Sequence, residues 1–208
     1  MINEKLAMTN AQYQTASVAI HQQGDGMGST LLTGKLVRLT AFNPETDAAI
    51  VARWSRDTEY HRLGDNDPAY PRSTKMAREW LERDNDHVFG FAVRTLGDDR
   101  LIGDIGLWIE NWAQAEGWVG IGIGERDYWG NGYGTDAMRL MLHFAFDELN
   151  LWRVTLGVYA YNPRAIRSYE KAGFRSEGVV RSDCRRDGRH WDSVFMGILR
   201  EEWPGREP

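Results

Sequence analysis

The chain has 208 residues, 42% of them hydrophobic, and a formal net charge of -5. Such a length can bury a substantial core and corresponds to one domain, or to one domain with an extension. The net negative charge argues against a protein that binds nucleic acid through bulk positive charge, so we expect no nucleic-acid partner. The same charge mildly favours a cationic amine as the ligand.

The single cysteine, Cys184, excludes an intramolecular disulfide and fits a reducing compartment, so we expect a cytoplasmic protein. The five histidines are scattered along the chain and show no metal-ligand spacing, which predicts that there is no metal site. The sequence contains no run of about 18 apolar residues, and we therefore expect no membrane span.

Residues 1–33 are poor in aliphatic side chains and rich in Gln, Thr and Ala, so we interpret them as an N-terminal extension of a domain at 34–208. Asn10 is a suitable cap for a short helix that ends at Gln23. The segment lacks the basic-then-apolar pattern of a signal peptide, and none is expected.

In the first half of the domain, the pattern predicts a strand at Leu36–Leu39, a helix through Trp54 with Asp47 as its cap, and a helix at 73–83 that Ser73 caps. Residues 56–72 are polar, aromatic and rich in turn formers. A loop of that length is usually functional or mobile, so we interpret it as a substrate-side lid, with a solvated surface loop as an equal alternative. Its acidic residues are Asp57, Glu59, Asp65 and Asp67.

The centre of the chain predicts an antiparallel meander of strands at Val88–Val93, at Leu101–Ile109 and around Val119. In the third strand, β-branched residues from Val119 to Ile123 alternate with glycines, so one face carries side chains and the other is bare. A bare strand face allows a ligand to approach the backbone closely.

A glycine-rich loop follows that strand, with the sequence Tyr-Trp-Gly-Asn-Gly-Tyr-Gly-Thr over 128–135, and a helix is predicted from Thr135 to Leu149. The loop amides therefore lie at a helix N-terminus, where unpaired N–H groups and the positive end of the helix dipole favour a phosphate. Glycines let a pyrophosphate reach those amides and supply the positive φ that such loops require.

Three phosphate-bearing ligands compete for this loop. A P-loop requires a lysine after the glycines, and none follows here, so we exclude it. Residues 132–137 match the dinucleotide pattern G-x-G-x-x-[GA], but the acidic residue expected about 20 positions later is absent at 157–159. The third ligand is coenzyme A, with its pyrophosphate on the loop and its pantetheine arm along the bare strand face.

The last part of the chain predicts a stop at Asn150, a buried strand at 152–158 and a helix that begins at Asn162-Pro163 and ends at Gly173. Residues 162–174 have the sequence Asn-Pro-Arg-Ala-Ile-Arg-Ser-Tyr-Glu-Lys-Ala-Gly-Phe. A closing hairpin is predicted from the strands Phe174–Val180 and Trp191–Leu199 and the turn Asp187-Gly188.

These two segments, in this order and at this separation, resemble the GNAT superfamily of acetyl-CoA-dependent N-acetyltransferases. The loop at 128–134 is similar to the coenzyme A pattern [QR]-x-x-G-x-[GA], with Trp129 at its first position, a departure that resembles the branch of ribosomal-protein-alanine and spermidine acetyltransferases. Residues 162–174 resemble the later pattern N-x-x-[AS]-x-x-x-Y-x-x-x-G-F. The resemblance covers about residues 35–203.

The resemblance implies a mixed α/β fold of the α+β kind, with a central, mostly antiparallel sheet flanked by helices. Two parallel strands, those of Ile121 and Thr155, are implied to splay apart in a V, with acetyl-CoA between them as cosubstrate. Tyr169 is implied to stand near the thioester sulfur. The residues implied to bind the cosubstrate are Ile121, Gly122, Ile123, Trp129, Gly130, Asn131, Gly132, Tyr133, Gly134, Thr135 and Asn162.

The chemistry can be argued from residue properties as well. Transfer of an acetyl group from a thioester to an amine requires a neutral nucleophile and an acid for the departing thiolate. With a reference pKa of about 10, Tyr169 is protonated at neutral pH and can be that acid. Our candidate for the general base is Glu116, because strand alternation points it to the same face as Trp118, the position at which many relatives carry a glutamate. Glu110 is the second candidate, and a surface role for Glu116 is the alternative.

We therefore expect an acetyl-CoA-dependent N-acetyltransferase that works by direct transfer in a ternary complex, as a monomer or homodimer. The acceptor is left open between a protein N-terminal amine and a small amine such as a polyamine or aminoglycoside. The alternative from another class is a non-catalytic acyl-CoA-binding sensor or interaction domain. The missing acid at Trp118 favours the sensor, whereas Tyr169 favours the enzyme.

Overall fold

The computed structural model describes residues 30–65, 67–83 and 86–205. The predicted helix from Asn10 and nearly all of the extension at 1–33 lie outside these residues, and the domain boundary stays a prediction. Within the described ranges, a mixed seven-stranded sheet is flanked by five α-helices. No helix in those ranges is long and apolar enough to cross a bilayer.

The strands are β1 (Val37–Thr40), β2 (Val88–Thr95), β3 (Leu101–Asn111), β4 (Glu116–Ile123), β5 (Arg153–Tyr159), β6 (Arg175–Arg186) and β7 (Arg189–Leu199). The sheet has the order β1-β2-β3-β4-β5-β7-β6, and its neighbouring pairs are antiparallel except for β4 and β5. The predicted meander and closing hairpin are confirmed. The first strand of that hairpin, β6, is longer than predicted, because it continues through two register shifts as far as Arg186.

The predicted V-shaped splay lies between β4 and β5. Their described pairing is confined to Glu116–Trp118 against Arg153–Thr155. Beyond Trp118, β4 stays paired with β3 as far as Ile123, while β5 stays paired with β7 as far as Tyr159. The two parallel strands therefore separate, and the edge of β4 from Val119 onward faces the gap between them.

Capping residues define where the helices begin. Asn43 caps the first helix by accepting the amide of Glu45, so the prediction that Asp47 is the cap was wrong. Asp47 instead lies in the first turn and accepts the amide of Asn43 at 2.8 Å. Ser73 caps the third helix as predicted. The helices are α1 (Pro44–Trp54), α2 (Thr58–Gly64), α3 (Thr74–Leu81), α4 (Tyr133–His143, continued by a π-helical turn at Phe144–Glu148) and α5 (Pro163–Ala172).

The segment at 56–72 is not one continuous loop, because it contains α2. Asp57 caps this helix by accepting the amides of Glu59 and Tyr60, and that N-cap signal was present in the sequence. Two later stops were predicted correctly: Asn150 has a φ of 52°, and Gly173 ends α5 with a φ of 110°.

The main core lies between α4 and one face of the sheet, where side chains of β3 and β4 such as Ile105, Leu107 and Val119 are buried. On a separate apolar cluster, Trp54 from α1 and Tyr60 from α2 pack with Ala92 of β2. Because β4 sends Val119, Ile121 and Ile123 to the main core, its glycine face belongs to the side on which α2 lies.

Candidate active site

A cavity of about 1250 Å³ opens where β4 and β5 separate. Residues 119–123 of β4 and 157–159 of β5 form its two strand walls, and the loop before α4, α5 and the segment around α2 complete it. Single small-molecule sites usually occupy about 300–1,000 Å³, so this cavity is larger than most of them.

The loop end of the cavity is built to bind an anion. Gly130 and Gly132 have φ values of 77° and 90°, which confirms the prediction that this loop needs positive φ. Gly132 is the N-cap of α4 and supplies no side-chain bond, so the first amides of the helix are left for a ligand. Cationic side chains line the same end, namely Arg139, Arg164, Arg167 and Lys171.

Trp129 stands at the position where the family pattern has a polar residue, and its contacts show what the ring does there. Its indole N–H donates to the carbonyl of Ile123 at 2.6 Å, which fixes the ring against the end of β4. The guanidinium of Arg164 lies 3.8 Å from the ring centroid in a cation–π contact. Burial lowers the pKa of Arg164. The tryptophan thus holds a partly desolvated cation beside the glycine loop.

Most residues predicted to bind the cosubstrate line this cavity, including Thr135, whose hydroxyl lies 2.8 Å from that of Ser168. Asn131 and Tyr133 are not among the lining residues. The amide of Asn131 donates to the carbonyl of Asp127 at 3.0 Å, and Tyr133 packs edge-on against Tyr128, with 4.9 Å between ring centroids. These two side chains shape the loop from outside the cavity.

Asn162 lines the cavity, but its side chain already has two partners. Its carbonyl oxygen accepts the amide of Ala165 at 3.2 Å and so caps α5, while its amide donates to the carbonyl of Leu63 at 3.3 Å. Asn162 therefore ties the start of α5 to the end of α2. Its predicted contact with the cosubstrate stays a prediction.

Tyr169 points from α5 into the cavity wall, seven residues after Asn162 and on the same side of the helix. Its ring packs against Phe174, with 6.2 Å between centroids. Among the residues that the structure describes, none shares a hydrogen bond with its hydroxyl. Burial raises the pKa of Tyr169 to about 12, so the hydroxyl is protonated at all physiological pH values.

Glu116 lies outside the residues that line the cavity. Its carboxylate is 3.3 Å from the guanidinium of Arg153 and accepts a hydrogen bond from Thr155 at 3.3 Å. Arg153 also pairs with Glu177 on β6. The structure thus gives Glu116 a place in an ion-pair network at the closed end of the V, and the geometry weighs against its role as general base.

Asp104 on β3 is a carboxylate in the cavity wall that the sequence analysis missed. It pairs in register with Gly122 of β4, and its Oδ1 accepts a hydrogen bond from the hydroxyl of Tyr60 at 3.2 Å. Burial raises the pKa of Asp104 from 3.8 to about 6. A single acidic residue within the otherwise apolar stretch 101–109 was the signal that could have found it, because buried carboxylates are costly and usually functional.

The segment around α2 covers the glycine face of β4. A Cβ at Gly122 would collide with the hydroxyl of Tyr60, so the bare strand is what lets this side chain reach Asp104. The end of α2 is held to the far side of the cavity, since Tyr161 donates to the carbonyl of Arg62 and Arg62 pairs with Asp187 at 3.0 Å. The segment predicted as a lid therefore lies on the cavity. Two of its acidic residues, Asp57 and Glu59, form ion pairs with Arg126.

Comparison with known proteins decides the family. The model of the acetyltransferase (GNAT) domain matches residues 37–175, about two thirds of the chain. The protein belongs to the GNAT acetyltransferases. This confirms the resemblance of the two motifs, and the observed V-shaped sheet is the GNAT fold that the resemblance implied.

Relatives of the GNAT protein carry N-acetyltransferase names. A Bacillus subtilis (strain 168) prophage-derived N-acetyltransferase, YokL, is 32% identical over 180 residues, covering 85% of this chain and 97% of the relative. "Probable N-acetyltransferase YjcK" of the same strain is 36% identical over 126 residues, covering 60% and 68%. The protein is accordingly an N-acetyltransferase.

Solved structures share the fold of the GNAT protein at low sequence identity. Spermidine N-acetyltransferase from Vibrio cholerae, in complex with CoA and spermine, has a TM-score of 0.71 at 23% identity, covering 80% of this chain and 96% of that one. A GNAT-family acetyltransferase from Bacillus anthracis has a TM-score of 0.70 at 20% identity, covering 82% and 98%.

Within the described residues, no group of three His, Cys, Asp or Glu side chains could hold a metal ion.

Proposed function

We propose that this acetyltransferase moves the acetyl group of acetyl-CoA directly to a primary amine, with both substrates held together in the cavity between β4 and β5. The observation that carries the proposal is the arrangement of one continuous cavity. The glycine-rich loop before α4 lies at one end, and Tyr169 of α5 and Asp104 of β3 line the wall. Among the described residues, the hydroxyl of Tyr169 has no hydrogen-bond partner, and Asp104 is hydrogen-bonded to Tyr60 of α2.

The residues present fit acetyl-CoA, which supplies an activated acetyl thioester when bound. The amides that follow Gly132 and the cations near Arg164 suit its phosphates, and the separated edge of β4 suits its pantetheine arm. The backbone of β4 beyond Trp118 has no strand partner on the β5 side, so its polar groups can hydrogen-bond the pantetheine amides and the carbonyl oxygen.

The chain's own part in the reaction is to move two protons. A carbon–nitrogen bond forms to the acetyl carbon as the carbon–sulfur bond breaks, so the amine must lose a proton and the departing sulfur must gain one. Tyr169 is the donor to sulfur, because its hydroxyl is protonated and has no competing partner among the described residues.

Two carboxylates are candidates to accept the amine proton. Asp104 lines the cavity and has a pKa of about 6, close to the working range of a general base. Glu116, the residue predicted from the sequence, is engaged by Arg153 outside the cavity lining. We therefore favour Asp104 as the base that acts on the acceptor, directly or through one water.

Coenzyme A binding is expected to stabilise the folded protein strongly. At a hundredfold excess over Kd, a ligand that binds only the native state contributes about 2.7 kcal/mol, which for a domain of this size raises Tm by roughly 5–10 °C. Differential scanning fluorimetry with acetyl-CoA, CoA and NAD measures this shift. A shift with NAD and none with acetyl-CoA would contradict the cosubstrate assignment.

Turnover is expected when free thiol is followed across a panel of amines that contains polyamines, aminoglycosides, amino acids and peptides. Tight acetyl-CoA binding without turnover on any amine would instead support the sensor alternative. Cytoplasmic location, a monomeric or dimeric state and the lack of a nucleic-acid partner are further parts of the proposal, and size-exclusion chromatography with light scattering tests the oligomeric state.

A further inference from the structure

Arg72 presents an unpaired cation to the cavity on the acceptor side, between the end of α2 and the start of α3. Its guanidinium makes no ion pair or hydrogen bond with any residue in the described ranges, and its Nε is buried without a partner. The guanidinium carbon lies over the ring of Tyr70, 5.8 Å from its centroid.

Three arginines of α1, α2 and the segment before α4 are paired. Arg53 pairs with Glu125, Arg62 with Asp187, and Arg126 with Asp57. These three guanidinium groups are about half-exposed, so they need partners least. Arg72 has a desolvated guanidinium nitrogen and no ion-pair partner among the described residues. A bound anion would offset the free-energy cost of that desolvation.

Hydrogen bonds fix the backbone of Arg72. Its amide donates to the hydroxyl of Ser55 at 2.7 Å, and that hydroxyl in turn donates to the carbonyl of Ala52 at 2.7 Å. Ser55 is buried at the end of α1. The guanidinium is thus presented from a fixed point, and its planar fork suits a carboxylate bound through two hydrogen bonds.

Arg72 and Asp104 both lie near Tyr60 and line the same cavity. The hydroxyl of Tyr60 donates to Asp104, and the positive charge of Arg72 is close enough to oppose the effect of that carboxylate on the pKa of Tyr60. The pKa of His61 is lowered by burial first and by Arg72 second, so this neighbour adds no second cation at neutral pH. The cavity wall near Tyr60 therefore carries both an acidic and a basic side chain.

We propose that the acceptor is a small amine that also carries a carboxylate, with its amino group toward Asp104 and its carboxylate on Arg72. The inference rests on the proposed function, because it names the substrate class of that same site. Exposed apolar side chains line this end of the cavity and suit an apolar or aromatic body on the acceptor. They are Tyr70, Met76 and Trp80.

The test compares an amino acid with its amide, which differ in the carboxylate alone. Calorimetric titration of L-phenylalanine, L-phenylalaninamide and spermidine into the CoA-saturated protein at about pH 6.5, where the amines are mostly protonated, gives each affinity. Wild type is expected to bind the acid about 10- to 100-fold more tightly than the amide, as for a charged hydrogen bond. Arg72→Gln should abolish that preference, and Arg72→Lys should retain part of it.

Arg78→Gln is the matched control, because it removes the same charge from α3 where Arg78 pairs with Glu45 outside the cavity. It should keep the acid preference. Equal binding of acid and amide to wild type, or an unchanged preference in Arg72→Gln, would overturn the inference. If wild type acetylates spermidine and Arg72→Gln leaves that turnover unchanged, the inference is overturned while the proposed function stands. Acid binding through Arg72 without turnover on any amine would leave a ligand but no acceptor, and would defeat the proposed function together with this inference.

Discussion

Tyr169→Phe is expected to lower kcat by about 10²–10⁴-fold while leaving KM for acetyl-CoA nearly unchanged. The substitution keeps the ring and its contact with Phe174, and it removes a hydroxyl that has no hydrogen-bond partner among the described residues. What is lost is proton donation to the leaving sulfur, an interaction made chiefly in the transition state. Steady-state kinetics of thiol release measure the effect.

The control for this variant is its thermal stability, measured with and without acetyl-CoA. Because no described hydrogen bond ends on the Tyr169 hydroxyl, Tyr169→Phe should keep the wild-type Tm and the same Tm increase with acetyl-CoA. Full turnover by the variant would make Tyr169 a packed aromatic and remove the proposed acid. Lost turnover together with lost acetyl-CoA binding would assign the hydroxyl to binding.

The anion-binding half of the site could be predicted from the sequence because its parts are local. A glycine-rich turn at 130–134 directly precedes a helix, so the positive φ values and the open helix amides follow from neighbouring residues. The helix cap at Asn162 and the stop at Gly173 are local signals of the same kind. The meander and the closing hairpin could be predicted for the same reason, because their turns are local signals.

The acceptor half depends on residues that are distant in sequence. Tyr60 reaches Asp104 across 44 positions, and Arg72 lines the same cavity from a segment whose backbone is hydrogen-bonded to Ser55 at the end of α1. Strand alternation assigned Glu116 to the face of Trp118, but it could not show that Arg153 from the parallel neighbour pairs with it. Tertiary contacts of this type leave no periodic signal in the sequence.

Asp104→Asn is expected to lower kcat/KM at neutral pH by about 10²–10⁴-fold, the usual value of a general base. Wild-type kcat/KM should fall as the pH drops through about 6, because protonation of Asp104 removes the acceptor for the amine proton. The asparagine variant should lack this limb and should recover part of its activity at high pH, where the amine is already deprotonated. A pH–rate profile of both proteins measures the difference.

Stability gives the same carboxylate an independent readout. Because burial raises its pKa from 3.8 to about 6, the folded state binds more protons than the unfolded state between about pH 4 and pH 6. The free energy of unfolding should therefore decrease as the pH rises through that window, and the decrease should be smaller in Asp104→Asn. Urea unfolding at several pH values tests this without any substrate.

Glu116→Gln separates the two candidate bases. Since Glu116 pairs with Arg153 outside the cavity lining, this variant should keep the limb near pH 6 that depends on Asp104. If Glu116→Gln abolishes the limb and Asp104→Asn retains it, the base is the residue predicted from the sequence, and the lid-side carboxylate only positions Tyr60. If both variants keep the limb, a water chain takes the proton and neither carboxylate is the base.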